Sequence, residues 1–208
     1  MQEYHKIQTV YNRDPATKFK TLLEGEYSTP EFEYLADSEW VFTEKVDGTN
    51  IRVGWGGGEV AFGGRTEHAQ IPASLVNMLH SIFTEKRLAA CVSACCLYGE
   101  GYGAGIQKGG GNYRRGAGFV LFDVRVGDLW LARDFVEDIA DNLGVDVVPI
   151  VGTGTISQMV EMARSGFCST WGAFPAEGIV ARPEVELCSR WGDRIITKIK
   201  HKDFVEHD

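Results

Sequence analysis

The 208-residue sequence has no segment that could cross a bilayer as a helix. Its longest stretch without Asp, Glu, Lys or Arg runs from His68 to Thr84 and carries two histidines, Gln70, Pro72 and Asn77. A spanning helix needs about 20 mainly apolar residues. The N-terminus also lacks the basic-then-apolar pattern of a secretory signal, so a soluble, cytoplasmic protein without a membrane partner is expected. A disulfide framework is not expected either. The five cysteines (Cys91, Cys95, Cys96, Cys168, Cys188) are odd in number and include no CxxC pair, and no histidine stands at zinc-finger spacing. They read as small buried hydrophobes in a reducing compartment. No repeat of solenoid period and no Ser/Pro-rich linker divides the chain, so one domain over residues 1–208 is expected. Positive charge is in deficit: 21 Lys and Arg stand against 29 Asp and Glu, a formal net charge of −8. That argues against a general nucleic-acid coat protein and leaves room for a local basic groove. With 44% hydrophobic and 24% charged residues, the chain is not disordered.

Glycine is abundant instead. Its 25 residues are about 12% of the chain against a typical ~7%, which suits many tight turns or close approaches of backbone to a ligand. Trp40 to Val46 and Thr49 to Trp55 read as strands joined in a hairpin through Asp47-Gly48. In the second of them Ile51, Val53 and Trp55 alternate with Asn50, Arg52 and Gly54, which predicts one buried and one polar face. Gly56-Gly57-Gly58 turns into a third strand, Glu59 to Phe62. Leu75, Met78, Leu79 and Ile82 follow Pro72 at helical spacing. Arg133 to Leu143 predicts a helix closed by Gly144. Thr155 to Arg164 predicts another, with Thr155 and Gln158 at capping-box spacing and Gly166 as its stop. Further strands are expected at Leu97 to Glu100, Phe119 to Val126, Glu177 to Arg182, Glu186 to Trp191 and Ile195 to Lys200. The order mixes hairpins with isolated helices and lacks a regular βαβ alternation, so the α+β class is favoured.

The most informative segment is Glu44-Lys45-Val46-Asp47-Gly48-Thr49-Asn50. Read alone it is a tight turn beside a lysine; read for chemistry it is Lys-x-Asp-Gly-x-Asn, a lysine fixed as a nucleophile. The segment resembles motif I of the covalent nucleotidyltransferases, which include ATP-dependent RNA ligases, DNA ligases and mRNA capping enzymes. The other motifs of that superfamily follow in order. Gly64-Arg65-Thr66 is similar to the stretch where RNA ligases of the ligase 2 type carry an arginine beside the nucleotide. Leu97-Tyr98-Gly99-Glu100 resembles motif III, and its continuation to Gln107-Lys108-Gly109 resembles the glycine-rich stretch of the same branch. Phe119 to Val124 resembles motif IIIa, Glu177-Gly178-Ile179-Val180 motif IV and Lys198-Ile199-Lys200 motif V. The likeness runs from about Trp40 to Phe204.

The resemblance implies a nucleotidyltransferase domain of antiparallel sheets flanked by helices, and an ATP-dependent RNA ligase. Lys45 would take AMP from ATP as a lysyl-AMP intermediate, pass it to the 5′-phosphate of an RNA, and the 3′-hydroxyl of another end would displace it. Lys45, Lys198 and Lys200 would be catalytic. Glu44, Asn50, Arg65, Glu100, Phe119 and Glu177 would join the two motif V lysines around the nucleotide, with Glu100 on the ribose and Phe119 stacked on adenine. Glu177 would hold Mg2+ or Mn2+. Asn50, where DNA ligases and capping enzymes usually carry arginine, favours the RNA ligase branch. The chain ends eight residues past Lys200, so no appended OB domain is expected, and an accessory protein or domain for sealing is.

Elementary chemistry supports these roles. An amine attacks phosphorus only when deprotonated. Lys198 and Lys200, two apart on a strand, share a face and can stabilise charge together. Magnesium keeps most of its waters and needs only one or two carboxylates. For Phe119 a plain core role stands beside the stacking role. Lys108, Arg114 and Arg115 flank the glycine loop with no acidic residue between them and, with Gln107, are candidates for RNA contact; ordinary solvated charge is the alternative for Arg114 and Arg115. Two other functions stand beside RNA ligation: an RNA-capping guanylyltransferase, and a degenerate nucleotide- or RNA-end-binding module.

Overall fold

A computed structural model describes residues 1–205 of the chain. In chain order its elements are β1 (Gln8–Thr9), β2 (Tyr11–Arg13), β3 (Leu22–Tyr27), α1 (Pro30–Tyr34), β4 (Trp40–Glu44), β5 (Thr49–Gly56), β6 (Glu59–Gly63), α2 (Ala73–Ile82), α3 (Glu85–Cys91), β7 (Cys95–Tyr102), α4 (Gly110–Tyr113), β8 (Gly118–Val126), β9 (Leu129–Trp130), α5 (Arg133–Leu143), β10 (Asp146–Val147), β11 (Ile150–Gly154), α6 (Ile156–Ser165), β12 (Gly178–Pro183) and β13 (Thr197–Lys200). The α+β class holds, and most strand pairs are antiparallel; β1–β13 and β10–β8 are parallel. Among the described residues no helix is long and apolar enough to cross a membrane. By its internal packing the chain divides into two compact units, Met1–His5 with Val46–Val148 and Lys6–Lys45 with Pro149 onward.

The unit that starts at Lys6 is built on a five-stranded sheet in the order β1-β13-β12-β4-β11. Alternation sorts its side chains: Trp40, Phe42, Ile179, Ala181 and Ile199 are buried on one face. They pack with Ile156, Met159, Val160 and Ala163 of α6. Thr155 and Gln158 form the expected capping box at the start of that helix, satisfying donors that a helix N-terminus otherwise leaves unpaired.

The other unit carries the sheet β10-β8-β7-β5-β6, with β9 paired to β8. Ile51, Val53, Leu97 and Leu121 of this sheet pack with Leu75, Leu79, Leu88, Val136, Ile139 and Leu143 of α2, α3 and α5. Gly144 ends α5 in the left-handed conformation, at φ 61°. The face of β5 that alternation marks as polar is also covered. Arg52 is 1% exposed and donates to the carbonyl of Gly64 at 2.7 Å and of Met1 at 3.0 Å. Nearby, the Tyr4 hydroxyl donates to Asp123 at 2.5 Å.

Two local expectations are corrected. β4 and β5 are not a hairpin: β4 pairs with β11 and β12, and β5 with β6 and β7. Asp47-Gly48 is therefore a crossing between sheets. Gly48 is required there because a Cβ would lie 2.2 Å from the Gly101 carbonyl oxygen. The tight hairpin turn is instead Gly57-Gly58, at φ 63° and 84°, between the paired Gly56 and Glu59, as a primed turn demands.

The second correction concerns Glu186 to Trp191, which forms a loop instead of a strand and has a twin. Cys168-Ser169-Thr170-Trp171-Gly172 and Cys188-Ser189-Arg190-Trp191-Gly192 share the pattern Cys-Ser-x-Trp-Gly twenty residues apart. In both, the serine Oγ accepts from the tryptophan backbone N–H (3.1 and 3.2 Å). In both, the glycine N–H donates to the serine carbonyl (3.3 and 2.9 Å), and each cysteine forms an isolated antiparallel bridge, to Pro175 and to Arg194. The same four residue types close the same turn, the first before β12 and the second before β13.

Candidate active site

β4 is flanked by β11 and β12 within its sheet, and Lys45 is the residue that follows its last member. The Lys45 backbone N–H donates to the Gly178 carbonyl at 2.9 Å, so the nucleophile candidate is pinned to the start of β12. Its Nζ lies 2.5 Å from Glu177 Oε2. The other oxygen of that carboxylate, Oε1, lies 2.6 Å from Lys200 Nζ. One carboxylate thus grips two ammonium groups, and the three side chains are 14–24% exposed. Burial alone would raise the Glu177 carboxyl; Lys45 and Lys200 outweigh it and hold the carboxyl below its ordinary value.

The placement follows from register. Gly178 faces Lys200 and Val180 faces Lys198 across the β12–β13 ladder. Thr197 and Ile199 are buried while Lys198 and Lys200 are half-buried, so the two lysines share the face opposite the core. A Cβ on Gly178 would meet the Ile199 carbonyl oxygen at 2.2 Å, which accounts for glycine after Glu177.

Glu44, placed by resemblance around the nucleotide, is 1% exposed. Its Oε1 accepts from the Ser169 hydroxyl at 2.6 Å, and its Oε2 accepts from the Thr170 N–H and hydroxyl, both at 2.9 Å. Three donors satisfy a carboxylate that would otherwise be costly to bury. These bonds tie the strand end that carries Lys45 to the first Cys-Ser-x-Trp-Gly loop. Ser169 and Thr170 were not singled out by sequence reasoning; the repeated pentapeptide is the signal that could have found them.

The remaining candidates lie in the unit from Val46 to Val148. Asn50 and Glu100 face one another across the β5–β7 ladder. The Asn50 Oδ1 is buried without a hydrogen-bond partner, an acceptor suited to a ligand hydroxyl or amine. Arg65 is exposed. The glycine-rich segment after β7 braces the Asp47-Gly48 crossing: the Asp47 N–H donates to the Tyr113 hydroxyl at 3.1 Å, and the Gln107 amide donates to the Gly48 carbonyl at 3.2 Å. Gln107, a candidate for RNA contact, thus also touches the crossing, and Tyr113 joins it as a residue absent from the motifs. A Cβ on Gly110 would meet the Gly103 carbonyl oxygen at 2.0 Å, so close backbone packing accounts for glycine there. Lys108, Arg114 and Arg115 are exposed. Phe119 is 4% exposed, packed within the helix-covered core and edge-on to Phe83 with ring centroids 5.2 Å apart. Those are the surroundings of a core residue. Among the described residues no group of three His, Cys, Asp or Glu gathers as a metal centre.

With this geometry in view, a family model described as RNA ligase matches residues 38–200. The chain belongs to the RNA ligase family. The match spans every motif from Lys45 to Lys200. Among solved structures, a Naegleria gruberi RNA ligase with pyrophosphate aligns at TM-score 0.69 and 18% identity, covering 96% of this chain and 56% of that one. A variant of the same enzyme with ATP and manganese aligns at TM-score 0.66 and 20% identity, covering 82% and 52%. Another, with AMP and manganese, aligns at TM-score 0.69 and 17% identity, covering 96% and 56%. These likenesses establish the RNA ligase fold, and the chain spans about half the length of the structures it matches. No curated protein sequence matches it.

Proposed function

We propose that the chain is an ATP-dependent RNA ligase working through a lysine adenylate. The observation that carries the reading is Glu177 holding both Lys45 and Lys200 at one end of the β4–β12–β13 sheet, in a chain of the RNA ligase family. Lys45, once deprotonated, attacks the α-phosphorus of ATP. The P–N bond forms, the bond to the bridging oxygen breaks, pyrophosphate leaves, and the lysine proton passes to water. Lys198 and Lys200 carry the charge that develops on the phosphoryl oxygens. A 5′-phosphate of RNA then attacks the lysyl-AMP phosphorus and regenerates the lysine. A 3′-hydroxyl attacks the activated 5′-phosphate, forms the phosphodiester and expels AMP.

Asn50 and Glu100 are assigned to hydrogen bonds with the nucleoside, and the orphaned Asn50 Oδ1 supports that role. Arg65 is kept for the nucleotide by resemblance, and Lys108, Arg114 and Arg115 for the RNA. Phe119 is assigned to the core. Glu177 is a hard oxygen donor of the kind a hydrated magnesium or manganese accepts singly, so the residues present fit such a metal. When bound, the metal would neutralise phosphate charge. Incubation with radiolabelled ATP or GTP and a denaturing gel tests the reading. Label from ATP supports a ligase, label from GTP alone points to a capping enzyme, and no label points to a binding module.

A further inference from the structure

In the unit from Lys6 onward, a cavity of about 740 Å³ opens beside β1 and β13. Lys6, Arg13, Lys20, Lys198, Lys200 and Lys202 line it, against a single carboxylate, Asp203. Such a concentration of cations is unexpected in a chain of net charge −8. Asp203 and Glu177 offset Arg13 and Lys200, and the charge of the exposed Lys6, Lys20 and Lys202 is what a polyanion would complement. Four of these cations, Lys6, Arg13, Lys20 and Lys202, fall outside the stretch of residues 38–200 that matches the RNA ligase family. They carry none of the roles described above.

The cations are of two kinds. Arg13 is built into the wall: it pairs with Asp203 at 2.7 Å and donates to the carbonyls of Phe19 and Lys20 at 3.4 and 3.1 Å. Asp203 in turn accepts from the Lys200 N–H at 3.1 Å, so this pair ties β2 to the end of β13. Lys6, Lys20 and Lys202 are exposed. Their ammonium groups are point charges on flexible stems, suited to following a chain of phosphates and poorly suited to a fixed bidentate grip. Gln8 and Thr9 also line the cavity, and an exposed Gln8 amide can meet a ribose 2′-hydroxyl. The volume is that of a site for more than one phosphate group.

We infer that this cavity is a docking site for the phosphate backbone of the RNA being joined, with Lys6, Lys20 and Lys202 as its mobile contacts and Arg13 as its fixed wall. The inference rests on the ligase reading for the identity of the polyanion. Its test is direct binding, which needs no ATP and can be run on Lys45→Ala protein, so failure to adenylylate would leave the measurement intact.

The probe is a fluorescent, 5′-phosphorylated single-stranded RNA, titrated with the protein and with the triple variant Lys6→Ala/Lys20→Ala/Lys202→Ala over a range of salt. The triple variant should bind at least ~10-fold more weakly at low salt. Its log–log salt slope should be shallower by about 2, from roughly 0.7 per lost phosphate contact. Replacing the same three lysines by arginine should restore most of the slope. An unchanged slope and affinity in the alanine variant would overturn the assignment. So would normal RNA binding combined with a ~10-fold higher requirement for inorganic pyrophosphate in reversing adenylylation of the Lys45 protein. That second result would give the cavity to the leaving group of ATP.

Discussion

The Ser169 hydroxyl donates to the buried Glu44 carboxylate at 2.6 Å, across 125 residues of sequence. Because Glu44 immediately precedes Lys45, a loop ahead of β12 fixes the strand end that presents Lys45. Changing Ser169→Ala together with Thr170→Val removes two of three donors and leaves a buried charge underpaired. Stability in urea should fall by about 1–3 kcal/mol per unsatisfied group. If the Glu44 contacts serve to place Lys45, adenylylation should slow at saturating ATP with little change in apparent KM. Ser169→Thr, which keeps the hydroxyl, should retain most of both.

The Glu177 carboxyl is held below its ordinary value by two lysines. A depressed carboxyl contributes stability that is present above its unfolded pKa and is lost as pH falls through the folded one. Melting temperature followed from about pH 6 to pH 3 should therefore drop more steeply for the wild type than for Glu177→Gln. Parallel curves for the two proteins would contradict the ion-pair account.

Phe119 packs against Phe83 inside a helix-covered core. Phe119→Ala should cost about 3–5 kcal/mol in denaturant unfolding. Phe119→Tyr should also destabilise, by roughly 1–3 kcal/mol, through a buried hydroxyl. A tyrosine variant as stable as the wild type, paired with an alanine variant impaired only in ATP use, would return the ring to the nucleotide.

Arg114 and Arg115 are exposed beside the glycine-rich segment. Changing both to alanine should weaken sealing of pre-adenylylated RNA and flatten its salt dependence. Lys198→Ala or Lys200→Ala should instead lower formation of the lysine adenylate by ~10²-fold. Gel assays of the separated steps distinguish the two classes of variant.

The helices at Arg133–Leu143 and Ile156–Ser165 were legible because local signals mark them: a 3.6-residue apolar period, a capping box and a closing glycine. The Lys45–Glu177–Lys200 cluster was legible only through motif order, since 132 residues separate its first two members. Asp47-Gly48 misled the hairpin reading because the dipeptide also serves a close approach to Gly101, which depends on tertiary structure. Phe119 shows the same limit in reverse: alternation marks a strand but does not say which face a helix covers. Tyr113 carries no charge pattern or period, and the repeated pentapeptide marks the loop of Ser169 and Thr170 without saying that it reaches Glu44, so these contacts depend on tertiary structure.

The proposed function depends first on covalent adenylylation of Lys45. Mass spectrometry of the intact protein after incubation with ATP and magnesium, followed by peptide mapping, tests it directly. One added AMP is expected on the peptide containing Lys45, none on the Lys45→Ala protein, and loss of the adduct on adding pyrophosphate. An adduct that persists in Lys45→Ala, or that maps to Lys198 or Lys200, would contradict the role of Lys45.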